Sequence, residues 1–127
     1  MNARPRGLAW LAERGFSTGA DPVSVSKLYR PKESWTSARA WWFEFPESIV
    51  RGAGLRSIHL LCEAETATPG FYHLQVPTRF LEEHKVAVGY RAAEDKYSLF
   101  LSAESENRFQ EVRGPGLIEF ARFLVEH

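Results

Sequence analysis

The chain is poor in the features that identify a protein at sight. It has one cysteine in 127 residues, so no intrachain disulfide can form. Cys62 follows Leu60 and Leu61, an apolar setting that predicts a buried thiol in a reducing compartment. No apolar run approaches the roughly 18 residues of a membrane span, and the N-terminus lacks a secretory hydrophobic stretch. A cytoplasmic protein without membrane contact is therefore expected. Net charge is absent too, with 16 Lys/Arg against 16 Asp/Glu, which removes any global pull toward a partner of one sign. Also missing are a Gly-x-Ser-x-Gly elbow, a phosphate-binding Gly-x-x-x-x-Gly-Lys, a His-Glu-x-x-His and a metal-spaced cysteine set. No cofactor and no metal are expected, and the balance leans away from an enzyme.

What is present describes an ordinary globular chain. Hydrophobic residues make up 44%, aromatic 13% and charged 25%, and 127 residues suit one domain. A chain of this size buries roughly two-thirds of its unfolded surface, enough to hold a core without disulfide or metal staples. Charge is unevenly spread: residues 1–56 carry nine basic against five acidic side chains, and residues 57–127 carry seven against eleven. Such a split marks a nucleic-acid-facing or acidic-partner-facing end unless folding mixes the two halves.

Three zones follow from the local pattern. Residues 1–16 read as an N-terminal helix, with Pro5 in its first turn, a stripe of Leu8, Leu11 and Ala12, and a Gly15–Phe16 stop. Residues 17–39 begin with turn chemistry and offer only Val23, Val25, Leu28, Tyr29 and Trp35 for packing. They are expected to form an extended arm, with a short strand near 23–28. From residue 40 the chain becomes regular and forms the core of the domain, residues 40–127.

Residues 41–45 alternate, placing Trp41, Phe43 and Phe45 on one face and Trp42 and Glu44 on the other. Pro46 stops that strand and opens a short helix. Strands at 58–63 and 71–76 follow, then Pro77, a helix at 78–85, and a hairpin of 97–102 with 108–113. Gly114-Pro115-Gly116 breaks the chain before a closing helix at 117–125, where Leu117, Phe120, Ala121 and Leu124 keep helical spacing. Residues 41–50 align with 72–81, proline on proline, so strand–Pro–helix–strand reads as a unit used twice. The first connection, residues 46–57, has the minimum length of a parallel crossover. The expected fold is α+β: a mixed five-stranded sheet, helices mainly on one face, a C-terminal helix and the N-terminal arm.

Two groups of residues suggest function. Glu63 ends one strand, and His73 and Gln75 share the polar face of the next, so a hairpin brings Glu63 toward His73. A carboxylate beside an imidazole suits a divalent metal or a general acid/base pair, which makes a small metal-assisted hydrolase one reading. Strand order and Glu63 resemble the PD-(D/E)XK nuclease core, in which an acid on one strand and Glu-x-Lys on the next hold magnesium and a water. Here the second strand reads His73-Leu74-Gln75, without that acid or lysine, so the resemblance implies a degenerate domain. His59, His84 and His127 read as structural or terminal residues.

The second group is aromatic and basic: Tyr29, Arg30, Lys32, Trp35, Arg39 and Trp42. Stacked aromatics with guanidinium groups hold single-stranded nucleic acid; tryptophan, tyrosine and arginine also anchor protein interfaces. Trp42 leaves the main apolar face, so the arm, a second copy or a nucleobase is needed to cover it. The leading expectation is a small non-enzymatic binding or accessory protein that engages a protein partner or forms a homodimer, with nucleic-acid binding as the alternative.

Overall fold

The computed structural model describes residues 3–31, 38–51, 56–65 and 70–127. It is α+β, with three α-helices and two three-stranded sheets. In chain order the elements are α1 (Ala3–Glu13), β1 (Val23–Ser26), β2 (Ala40–Pro46), α2 (Glu47–Arg51), β3 (Ser57–Glu63), β4 (Phe71–Pro77), α3 (Thr78–Glu83), β5 (Tyr90–Arg91) and β6 (Lys96–Ser102). The first sheet has the order β1-β3-β4, with β1 parallel to β3 and β4 antiparallel to it. The second has the order β2-β6-β5 and is antiparallel throughout.

The single five-stranded sheet is thus replaced by two smaller ones, and the cause lies in the connection after β2. Pro46 ends the strand, and α2 is only five residues long, too short to carry the chain back over a sheet face. The aromatic side of β2 instead finds its cover on another sheet. Trp41, Phe43 and Phe45, with Tyr97, Leu99 and Leu101 of β6, pack against Ile58, Leu60 and Cys62 of β3 and Leu74 and Val76 of β4. The main core lies between the two sheets. Cys62 is fully buried there, and burial pushes its thiol well up, which keeps it protonated.

The outer face of the first sheet holds a second core, in which α1 packs Trp10 and Leu11 against Leu61 and Phe71. The buried stripe of α1 is Ala3, Gly7, Trp10 and Leu11, while Leu8 is 39% exposed. Small residues decide this. A Cβ on Gly7 would lie 2.9 Å from Val25 Cγ1 and 3.1 Å from Leu61 Cδ1, so glycine lets the helix sit directly on the strands. The helix ends as expected: Gly15 adopts φ +68° and donates to Ala12 O at 3.0 Å, and Phe16 donates to Leu11 O at 3.2 Å, a Schellman stop.

The described part of the arm folds onto its own chain. Beyond β1, Tyr29 exchanges backbone hydrogen bonds with Ala40 at 2.9 and 3.1 Å, and Ser26 Oγ accepts the Trp42 N–H at 2.9 Å. One short segment therefore touches both sheets.

Of the expected closing helix only a 3-10 turn at Ala121–Phe123 forms, and residues 108–113 form isolated bridges rather than a strand. Phe120 is buried as expected, but Leu117 and Leu124 are 53% and 38% exposed. A nine-residue helix is marginal on its own, and this stretch meets its backbone needs elsewhere. Glu111 donates to Ile118 O at 2.7 Å, Phe120 to Phe109 O at 3.0 Å, and Val125 to His73 O at 2.8 Å. The last of these lays the tail along the edge of β4. Phe109 and Leu117 take positive φ values of 70° and 48°, which interrupt any regular element. Glu111 organises the preceding loop. Its buried carboxylate accepts backbone N–H groups from Gly89, Phe100, Arg113 and Gly114 at 2.9–3.2 Å. Burial drives the Glu111 carboxyl up, against the pull of those four amides.

Candidate functional site: a histidine chain and an aromatic face

Alternation along β3 and β4 sends Ile58, Leu60, Cys62, Leu74 and Val76 into the main core and leaves His59, Leu61, Glu63, Phe71, His73 and Gln75 on the α1 side. The register sets Leu61 opposite His73 and His59 opposite Gln75, so the two histidines are diagonal neighbours on one face. His59 Nδ1 lies 2.8 Å from His73 Nε2. The chain extends at both ends: His59 Nε2 is 3.3 Å from Asp21 Oδ2, and His73 Nδ1 is 2.9 Å from His127 Nε2.

Four groups from four segments, the arm, β3, β4 and the tail, thus form one linear hydrogen-bonded chain. Phe16 meets all three imidazoles edge-on, at centroid distances of 5.7, 4.7 and 5.4 Å, and Trp10 meets His127 at 5.0 Å. His59 and His73 are each 1% exposed. Burial lowers the pKa of His59, opposed by the Asp21 carboxylate. Burial, then the neighbouring His59 and His127, push His73 down to about 4. Both rings are neutral at physiological pH.

A carboxylate can only accept, so Asp21 fixes the direction of the chain. His59 donates from Nε2 to Asp21 and accepts at Nδ1 from His73 Nε2–H; His73 accepts at Nδ1 from His127 Nε2–H. Both nitrogens of His73 are used in these ring-to-ring bonds. Among the described residues no group of three His, Cys, Asp or Glu side chains is arranged to hold a metal ion. The arrangement suits a proton relay better than a coordination site.

The Glu63–His73 pair expected from the sequence does not form. Register pairs Glu63 with Phe71, and its carboxylate is held by the Arg6 guanidinium at 2.6 Å and the Leu28 N–H at 2.9 Å. Burial would raise this carboxyl, but Leu28, Arg6 and Arg30 together hold it below its ordinary value. Gln75 is exposed, opposite His59. Parity on the two strands was readable, but the rung was not, because the true register depends on where the turn falls between residues 63 and 71. His59 shares that parity with His73 and was within reach of the same reasoning. His127 and Asp21 carry no local signal.

Of the aromatic and basic group, Lys32 and Trp35 lie outside the described residues. Trp42 occupies the outer face of the second sheet, opposite Phe100, as Glu44 is opposite Ser98. The Trp42 indole N–H donates to Ser98 Oγ at 3.0 Å; its ring meets Phe100 at 5.9 Å and Tyr29 of the arm at 6.3 Å, both edge-on. The Arg113 guanidinium lies 4.6 Å over the Phe100 ring and donates to Ser98 Oγ at 3.3 Å. Lys96 pairs with Glu44 at 3.1 Å. Arg39 belongs to a different cluster, ion-paired with Glu65 and with Glu104, the latter at 3.2 Å. Arg30 is exposed. Phe100, Ser98 and Arg113 join the group only through non-local pairing. Comparison with family models, curated proteins and solved structures gives no match.

Proposed function

We propose that this is a small non-enzymatic binding protein that acts through the outer face of its second sheet, with a second copy of itself as the first partner. The observation that carries the reading is the convergence of Tyr29, Trp42 and Phe100, all half-buried, beside Arg113. Tyrosine, tryptophan and arginine are the anchors of protein interfaces. The face carries both signs, Glu44 beside Lys96 and Arg113, so a two-fold axis can set each charge against its opposite.

The nucleic-acid alternative is weakened by Arg39, whose charge is engaged by two carboxylates. It is weakened again by Trp42, whose ring meets two other aromatics. A hydrolase centred on Glu63 and His73 loses its support, since each side chain is held by other partners.

Sedimentation velocity over a concentration series tests the proposal. Wild type is expected to dimerise as concentration rises, and Trp42→Ala and Phe100→Ala to remain monomeric while folded. A wild type that stays monomeric throughout overturns self-association. Binding to single-stranded oligonucleotides that falls steeply with salt redirects the face to nucleic acid.

A further inference from the structure

We propose that the Asp21–His59–His73–His127 chain is a proton-operated latch that holds the tail on the first sheet and lets it go in acid. The latch lies on the first sheet, apart from the binding face on the second, and the number of hydrogens along the chain governs it. With all three imidazoles neutral there is one N–H per ring and one acceptor site facing it, so the links to Asp21, His59 and His73 are all satisfied.

One added proton can be accommodated. It enters at His127 Nδ1; His127 passes its Nε2 hydrogen to His73 Nδ1, and His73 passes its own Nε2 hydrogen to His59 Nδ1. The charge then rests on His59, whose Nε2–H still donates to the Asp21 carboxylate, and both ring-to-ring links survive with their direction reversed. A second proton cannot be accommodated. Wherever it settles on the three rings, two N–H groups must face each other across one ring-to-ring contact, and that hydrogen bond is lost.

The weak contact is His73–His127, since His127 is the exposed member. Its ring, stacked on His73 at 5.2 Å and 20°, would then carry charge against Trp10 and Phe16. The tail depends on the same place, because the Val125 N–H donates to the His73 carbonyl at 2.8 Å and Leu124 bridges to Leu74.

Few other charges bear on the chain. Asp21 faces it from the arm. From α1, the Arg14 guanidinium lies 4.0 Å over the Trp10 ring, and Arg6 is neutralised by Glu63. Strand β1 contributes only valines and serines, β4 contributes the neutral Gln75, and the tail contributes the exposed Glu126. None supplies a second carboxylate at His73, so nothing there compensates another positive charge. Burial, His59 and His127 lower His73 from its ordinary 6.5 to about 4, which sets the window in which the latch opens.

Amide hydrogen exchange, corrected for intrinsic rates, reads the latch directly. The protection factor of the Val125 amide is expected to fall by about tenfold or more as pH drops from near 6.5 to near 4, because local opening becomes linked to proton uptake. Leu99, in the middle of β6, should keep its protection. In His127→Ala, an exposed position, Val125 should be poorly protected already at neutral pH and respond little to acid. The proposal is overturned if wild-type Val125 protection is indifferent to pH, if His127→Ala behaves as wild type, or if Leu99 loses protection together with Val125. The last outcome would mean general acid unfolding rather than release of the tail.

Discussion

The β3–β4 and β2–β6 ladders are both antiparallel, each with seven paired positions and a proline at one end. They face each other across the main core, so their inner sides are equally apolar and equally dry. Their outer sides differ. On the first sheet α1 and Phe16 lie over the strands, and the two imidazoles beneath, His59 and His73, are almost without solvent. On the second, Trp42, Glu44 and Phe100 remain half-exposed. Burial accounts for the contrast in hydrogen bonding. Under α1 two imidazoles had no water available, so they were driven into a chain that ends on Asp21 and His127. On the open side the indole, carboxylate and guanidinium groups converge on the buried Ser98 hydroxyl and can also use solvent.

The largest expected effect tests the shared inner side. Leu60→Ala on β3 and Leu99→Ala on β6 remove side chains that are both completely buried, and each is expected to lower stability by about 2–5 kcal/mol. Chemical denaturation checks this. Similar losses support one core between the sheets; a loss confined to one variant would mean that the sheets are unequal partners.

The next effect separates the outer sides. His73→Leu keeps apolar bulk at a buried position but strands the facing nitrogens of His59 and His127, at an expected cost of about 1–3 kcal/mol. It should also flatten the acid limb of stability. In the wild type His59 and His73 bind protons less readily when folded than when unfolded. The unfolded state therefore takes up more protons below about 6.5, and stability is full above that pH and lost progressively toward about 4. Thermal melts at several pH values should show that limb in wild type and a weaker one in His73→Leu. An unchanged limb would assign it to carboxylates elsewhere.

A smaller effect is expected on the open side. Ser98→Ala removes the hydroxyl that receives Trp42 Nε1–H and Arg113 and donates to Glu44 at 3.3 Å. Its partners are part-exposed and can turn to water, so about 0.5–1.5 kcal/mol is expected, with little dependence on pH. A loss well above that would show the face to be drier than its exposure indicates.

How much of this was readable in the sequence depends on how local the determinant is. The alternation of Trp41, Phe43 and Phe45 and the positions of Pro46 and Pro77 are local, and β2, β3, β4 and β6 fall close to where they point. The division into two sheets is not local. It depends on β2 choosing β6 and β3 choosing β4, a choice made by matching apolar faces distant in sequence. The tail shows the opposite failure. Leu117, Phe120 and Leu124 have helical spacing, yet only Phe120 is buried, because backbone bonds to Phe109, Glu111 and His73 outweigh a helix that short. Positive φ at Phe109 and Leu117 leaves no trace in side-chain type. The histidine chain was half legible: the shared parity of positions 59 and 73 is visible in the sequence, while the arrival of His127 is a consequence of the tail's path.

The smallest expected effect concerns the helix that makes the two outer sides different. Spacing alone put Leu8 on the buried stripe of α1, whereas the docked face is Ala3, Gly7, Trp10 and Leu11. Adjacent positions therefore give opposite expectations. Leu8→Ser exchanges an exposed leucine for a residue of slightly lower helix propensity and should change stability by no more than about 0.5 kcal/mol. Gly7→Ala improves intrinsic helix propensity by about 1 kcal/mol, yet its methyl would meet Val25 Cγ1 at 2.9 Å and Leu61 Cδ1 at 3.1 Å. Contact that tight forces α1 away from the strands, so Gly7→Ala should lose most or all of the propensity gain and loosen Phe16 and Trp10 over the histidines. Urea denaturation of the two variants with wild type decides between the faces. Should Leu8→Ser prove the costlier change, α1 would be docked through its Leu8 side, and the cover that separates the two outer faces would have to be redrawn.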